Sequence, residues 1–196
     1  MRVLIVGVSC VGKTTIGGLL AGRLGHPFFD LDKETESHFG TSIERLQSRF
    51  LTDYSYRKEA SVVLKRIVAT NRDCVVALPP SGLRDAYLRV IRKVECVTVT
   101  IKDTPRNIVE RIRFYDIDSR PIPKHLTDEE KRLYQKEIKK DITHFKKSHQ
   151  RADIHVDITG LDAAAGAARI EELLPHAPKE TEDGAARAKG KPRPSH

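Results

Sequence analysis

The 196-residue chain has no Trp, and aromatic residues make up only 6% of it. A stacking platform for single-stranded nucleic acid needs aromatic faces, so that class of function is disfavoured. Cysteine is scarce as well: Cys10, Cys74 and Cys96 lie far apart, with no C-x-x-C spacing. Such a pattern argues against a disulfide framework and against a zinc site, and it fits a reducing, cytoplasmic compartment. The eight histidines show no H-x-x-x-H spacing. No apolar run approaches the roughly 20 residues that a membrane span requires. The apolar start, Arg2 to Val8, is too short for a signal peptide, and no small-residue cleavage site follows it.

Charge, by contrast, is abundant and one-sided. Lys+Arg total 35 against 27 Asp+Glu, a formal charge of +8. Basic proteins suit anionic partners: a nucleotide, a phosphometabolite, a nucleic acid or a membrane surface. With 39% hydrophobic residues the chain is polar but too apolar for wholesale disorder. Its length fits one domain. The composition shifts near Pro175, and residues 176–196 contain no aliphatic side chain larger than Ala. Such a segment cannot bury enough apolar area to offset its ordering entropy. The expected division is therefore a domain over 1–175 and a disordered basic tail over 176–196.

Within the domain, short aliphatic runs alternate with helical patterns. Strands are predicted at 2–8, 27–32, 74–78, 96–101 and 154–158. Helices are predicted at 13–24, 56–68, 104–114, from 127 through Phe145, and at 163–174. Thr41 with Glu44, and Thr127 with Glu130, read as capping boxes. Five strands separated by helices predict an α/β fold with a parallel sheet covered on both faces.

The strongest chemical signal is Gly7-Val8-Ser9-Cys10-Val11-Gly12-Lys13-Thr14, a G-x-x-x-x-G-K-[ST] loop between the first strand and the first helix. Glycines let backbone approach phosphate oxygens, and the loop amides with the helix N-terminus present positive charge. Lys13 can reach terminal phosphates, and the Thr14 hydroxyl can enter a Mg²⁺ shell. Gly7, Cys10, Val11, Gly12, Lys13, Thr14 and Thr15 are the candidate nucleotide contacts. A second signal is Asp30-Leu31-Asp32. Read as a strand, period two puts both carboxylates on one side of its end. One can hold Mg²⁺ through water, and the other can orient an acceptor hydroxyl or take its proton.

The phosphate loop, then Phe28 through Glu36, then Gly40-Thr41-Ser42-Ile43 and Tyr56-Arg57, together resemble the shikimate kinase family. The resemblance covers residues 1–70 closely and 71–174 loosely. It implies a P-loop kinase fold with strand order 2-3-1-4-5 and a lid, ATP and Mg²⁺, and transfer of the γ-phosphoryl group to the 3-hydroxyl of shikimate. By the same resemblance Asp30 corresponds to the Mg²⁺-associated Asp, Asp32 to the Asp on the substrate hydroxyls, and Arg57 to an Arg on the substrate carboxylate. Arg111 through Ile122 resembles the lid stretch, expected at about 111–128. There Arg120 corresponds to the lid Arg that reaches the phosphates, and Arg113 to the residue near adenine. The implied catalytic set is Lys13, Asp32 and Arg120. The implied partner is a small hydroxy acid, with no membrane or nucleic acid involved and a monomeric chain.

The acceptor side departs from the family. Three consecutive glycines of the family are replaced by Pro79-Pro80-Ser81-Gly82, and proline has no N–H to donate. Ser81 or Gly82 is expected to substitute. The family's second substrate-carboxylate Arg has no counterpart; Lys139, Lys140, His144 and Lys146 lie in that region. These departures keep two other readings in view: a kinase of another hydroxy acid such as gluconate, and a nucleotide-binding regulator that performs no transfer.

Overall fold

The computed structural model of the chain describes residues 1–177. The run Arg2–Val6 forms β1, paired in parallel with β3 (Cys74–Ala77) on one side and β4 (Val97–Lys102) on the other. β2 (Phe28–Asp30) adds outside β3. A short β5 (Phe114–Tyr115) and β6 (Pro121–Ile122) pair only with each other, and β7 (Ile154–Asp157) joins β4. The sheet order is β2-β3-β1-β4-β7, so the fifth sheet strand is β7 and the expected 2-3-1-4-5 arrangement holds.

Alternation along β1 divides the core. Val3 and Ile5 point into a cluster with Ile16 and Leu20 of α1 (Lys13–Leu24) and Ala167 and Ile170 of α8 (Ala163–Leu173). Leu4 and Val6 point the other way, against Ala60, Val63 and Leu64 of α4 (Asp53–Thr70) and Tyr87 of α5 (Asp85–Ile91). Such two-sided burial is what a parallel strand of continuous aliphatics requires. In α1, Leu19 is exposed, so the buried face is narrower than the spacing of its leucines suggests. No helix among the described residues is long and apolar enough to cross a membrane.

Several boundaries differ from the sequence reading, each for a local reason. The second strand stops at Asp30, whose carboxylate accepts from the backbone N–H of Asp32 at 3.1 Å and caps α2 (Leu31–Phe39). Asp32 therefore sits in a first helical turn rather than on a strand. Ser42, not Thr41, caps α3 (Ile43–Gln47). The helix expected over 104–114 is α6 (Pro105–Val109), after which the chain turns into the β5–β6 hairpin. The box at Thr127 and Glu130 forms as expected and opens α7 (Asp128–His149). The first residues of the expected tail, His176 and Ala177, still belong to the packed domain: His176 ends a 3₁₀ turn and Ala177 rests against the core. The rest of that tail lies outside the described residues.

Candidate active site

The loop before α1 is shaped by two left-handed residues, Gly12 (φ 109°) and Cys10 (φ 59°). Gly7 has no room for a side chain: a Cβ there would lie 2.8 Å from the Ile101 carbonyl oxygen and 2.9 Å from Val11 Cγ1. Lys13 folds back over the loop, its Nζ donating to the carbonyls of Gly7 at 3.1 Å and Val8 at 2.9 Å. Those bonds fix the ammonium where an anion cradled by the loop would meet it. Burial pushes Lys13 below its usual lysine pKa, against the opposing pull of Asp32, Cys10 and Asp30.

The two acids of the sequence motif converge on this loop from the neighbouring sheet edge. The Thr14 hydroxyl donates to Asp30 Oδ2 at 2.6 Å, while Asp30 Oδ1 is held by the cap of α2. Two hard oxygens side by side, one anionic, fit the donor set that Mg²⁺ takes when phosphates and waters complete its shell. Asp32 stands close enough to Lys13, Asp30 and Glu36 to feel all three. Burial first, and the charge of Asp30 second, push its carboxyl up to about 6, opposed by Lys13.

On the far side of the loop a cavity of about 160 Å³ is lined by Val11, Gly12, Thr15, Ile16, Arg111 and residues of the segment entering α8. Arg111 and Asp162 are its ionisable lining residues. Arg111 Nη1 donates to the Val11 carbonyl at 3.3 Å, and its Nη2 pairs with Asp103 Oδ2 at 2.6 Å. Asp103 is fully buried, and its other oxygen accepts from Thr104 N and Asn107 Nδ2, each at 2.7 Å, and from Thr159 Oγ1 at 3.3 Å. Arg113, expected near adenine, is exposed in β5's approach. The arginine that reaches the phosphate loop is Arg111, two residues earlier, in the turn after α6.

The segment expected to form a lid is a hairpin docked on α2 and α3. Ser119 Oγ donates to Glu36, Ser42 Oγ donates to the Ile117 carbonyl, and Arg45 pairs with Asp118 at 2.6 Å. Asp116 Oδ1 shapes the hairpin turn by accepting from Asp118 N and Arg120 N. The Arg120 side chain is exposed at the hairpin's return strand, with its charge near Asp118.

The acceptor side is assembled from α4, the segment after β3, and α7. Tyr56 and Tyr87 are buried, and burial followed by nearby groups that include Asp32 holds both phenols above their usual pKa. Arg57 pairs with Asp85 at 2.9 Å. The Pro79–Arg84 segment is a tight turn that consumes its own polar groups. Gly82 N donates to the Pro79 carbonyl at 2.8 Å, Arg84 N to the Ser81 carbonyl at 2.9 Å, and His149 Nε2 to the Pro80 carbonyl at 2.8 Å. Gly82 is buried against Leu78, so its N–H is turned inward and does not take over the substrate contact expected of it. Ser81 remains half-exposed at the turn. From α7, His144 Nε2 accepts from Arg84 Nη1 at 2.9 Å, and Arg84 lies over the Phe145 ring at 5.9 Å. Arg84 and Asp85 were missed in the sequence; nothing local distinguishes them from surface charges of a short helix.

Comparison with known proteins identifies the family. The family model described as shikimate kinase matches residues 9–174. The shikimate kinase of Aquifex aeolicus is 32% identical over 159 residues, 80% of this chain and 86% of that protein. The shikimate kinase of Moorella thermoacetica is 30% identical over 174 residues, 88% of this chain and 94% of that one. The crystal structure of the Aquifex aeolicus enzyme superimposes with a TM-score of 0.66 at 26% identity, covering 89% of this chain and 96% of that one. With the phosphate loop, Asp30 and Asp32 beside it and the P-loop kinase sheet in place, the chain belongs to the shikimate kinase family of phosphotransferases with an alcohol acceptor.

Proposed function

We propose that the chain transfers the γ-phosphoryl group of ATP to the 3-hydroxyl of shikimate. The observation that carries this reading is the convergence of Lys13, the Thr14–Asp30 pair and Asp32 around one loop, with an arginine, Arg57, a short way across the acceptor side. The loop amides grip the phosphates, and Lys13 exchanges its carbonyl partners for phosphate oxygens. Thr14 and Asp30 would hold Mg²⁺, which supplies charge neutralisation on the phosphates when bound. The acceptor hydroxyl, held by Asp32, forms its oxygen bond to the γ-phosphorus as the bond to the bridging oxygen of ADP breaks, and its proton passes to the Asp32 carboxylate. Arg57 binds the acceptor carboxylate, and Arg120 closes with the hairpin to exclude water. Little covalent chemistry is asked of the protein; alignment and charge carry the rate. The reading places the enzyme in the cytoplasm, acting as a monomer on a small-molecule acceptor.

A coupled ADP-release assay with shikimate and a panel of hydroxy acids tests this. Shikimate-dependent release that is abolished in both Lys13→Ala and Asp32→Ala is expected. Faster turnover of gluconate than of shikimate would reassign the acceptor, and Pro79-Pro80 is the feature that makes gluconate the first alternative in the panel. ATP binding without any acceptor-dependent release would point to a regulator.

A further inference from the structure

Arg57 emerges from α4 with its side chain only 13% exposed. One oxygen of Asp85, Oδ2, takes two of its donors: Nε at 3.1 Å and Nη2 at 2.9 Å. The other nearby carboxylate, Asp53, is 3.6 Å from Nη1 and 92% exposed, so solvent screens it. The guanidinium is thus gripped along its Nε–Nη2 edge. A guanidinium carries five N–H donors in a rigid plane, so fixing one edge aims the opposite one. The terminal edge, built from Nη1 and the outer N–H of Nη2, matches a second carboxylate in the two-point geometry that makes such pairs specific.

Asp85 makes this contact from a backbone that a non-glycine residue adopts under strain. It opens α5 at φ 45°, in the left-handed region. Strain of this kind persists where surrounding structure requires it, and it gathers at functional sites. The preceding residue, Arg84, answers the electrostatic objection that Asp85 would repel an anionic acceptor. Its guanidinium is held by the His144 imidazole and the Phe145 ring, and among the described residues it has no carboxylate partner. The Arg57–Asp85 pair is neutral as a unit, and Arg84 balances the solvent-screened Asp53.

From these contacts we propose that Asp85 is a positioning residue for the acceptor: it locks Arg57 so that the terminal edge of the guanidinium, which among the described residues has only the exposed Asp53 at 3.6 Å, meets the carboxylate of the hydroxy acid. The proposal rests on the acceptor reading given above. The test is steady-state ADP release with shikimate and ATP varied separately, alongside thermal denaturation, for Asp85→Gly and Asp85→Asn. Asp85→Gly is expected to raise the shikimate KM roughly tenfold, the loss that follows when an oriented charge-assisted contact is released. Its kcat stays within about threefold and its ATP KM unchanged, because the phosphate side is untouched. Its Tm does not fall, because glycine accepts a positive φ freely. A merely structural Asp85 would instead lower Tm and leave KM alone. Asp85→Asn keeps an oxygen for Arg57 and gives an intermediate KM; if the glycine variant does not fold, this variant decides by the same criterion. An unchanged shikimate KM overturns the proposal, and a lowered one shows Asp85 to be a competitor of the acceptor. If the unmodified enzyme ignores shikimate but phosphorylates another hydroxy acid, the acceptor assignment fails while the KM comparison, run with that acid, still tests Asp85. Turnover confined to polyols without a carboxylate overturns both.

Discussion

Replacing Asp103 with Ala tests Arg111, which the fold places at the phosphate loop, against Arg113, which the family resemblance assigns to adenine. The Asp103 side chain is fully buried, and its Oδ2 has the Arg111 guanidinium as its one partner among the described residues. Removing one member of a buried pair typically costs about 3–5 kcal/mol. Arg111 is 36% exposed and can turn toward water, so about half of that is the better figure. Thr104 N–H and the Asn107 amide also lose their acceptor, at roughly 1 kcal/mol each. The sum is about 4 kcal/mol. At roughly 2–4 °C per kcal/mol for a domain of this size, Tm falls by about 10 °C. The same substitution frees Arg111 from the wall of the 160 Å³ cavity. The ATP KM is therefore expected to rise in Asp103→Ala, and by about tenfold in Arg111→Ala, with the shikimate KM little changed. Arg113→Ala, which removes an exposed side chain, leaves the ATP KM within about twofold. Thermal melts and nucleotide titrations on the three variants decide the matter. An ATP KM that responds to Arg113→Ala and not to Arg111→Ala would refute the assignment and the inference from the Asp103 anchor.

Two further predictions concern the loop and its buttress. Gly7→Ala drives a methyl against the Ile101 carbonyl, which is sheet backbone and cannot yield, so the loop shifts; stability falls by about 1–3 kcal/mol and nucleotide affinity by roughly a hundredfold. Gly18→Ala is the control: nothing lies within 4 Å of its Cβ. It should stabilise α1 by about 0.5–1 kcal/mol without altering activity, as read by melts and the ADP assay. His149 is buried, and burial first of all holds its imidazole below the usual histidine pKa, the bond to the Pro80 carbonyl opposing that fall and nearby Lys13, Lys102 and His155 adding to it. A depressed folded pKa means that the neutral ring's contribution is present above the unfolded value of 6.5 and lost as pH falls below it. Between pH 7.5 and 5.5 the Tm of the native chain should therefore drop more steeply than that of His149→Gln, and equal slopes would remove His149 from the account.

How legible each half of the site was follows from how each is built. The phosphate half is local. A strand, a loop and a helix N-terminus succeed one another in a dozen residues, and the chemistry is mostly backbone, so glycine spacing and Lys13 disclosed it directly. Asp30 and Asp32 were also found, although by a wrong route. The strand alternation invoked for them does not occur, because the Asp30 carboxylate caps a helix and draws Asp32 into its first turn. What brings them to the loop is the sheet order, with β2 lying outside β3, the strand that pairs with β1. The acceptor half is the opposite case. Its contacts join Arg57 to Asp85, Arg84 to His144 and Pro80 to His149, pairs separated by 28, 60 and 69 positions. No period, cap or spacing records a pairing across such distances. In the late part of α7, where Lys139, Lys140, His144 and Lys146 stand, a motif search finds no arginine, whereas the fold brings a guanidinium there from the head of α5: Arg84, held on α7 by an imidazole and a phenyl ring. The same logic accounts for the prolines. Pro79 and Pro80 remove backbone donors, yet the turn they make delivers Arg84 and Asp85 to the site in their place. On the proposed acceptor reading, side-chain charge then takes the place of backbone amides, and the expected outcome is that the shikimate KM responds to Arg84→Ala and Asp85→Gly more than to Ser81→Ala.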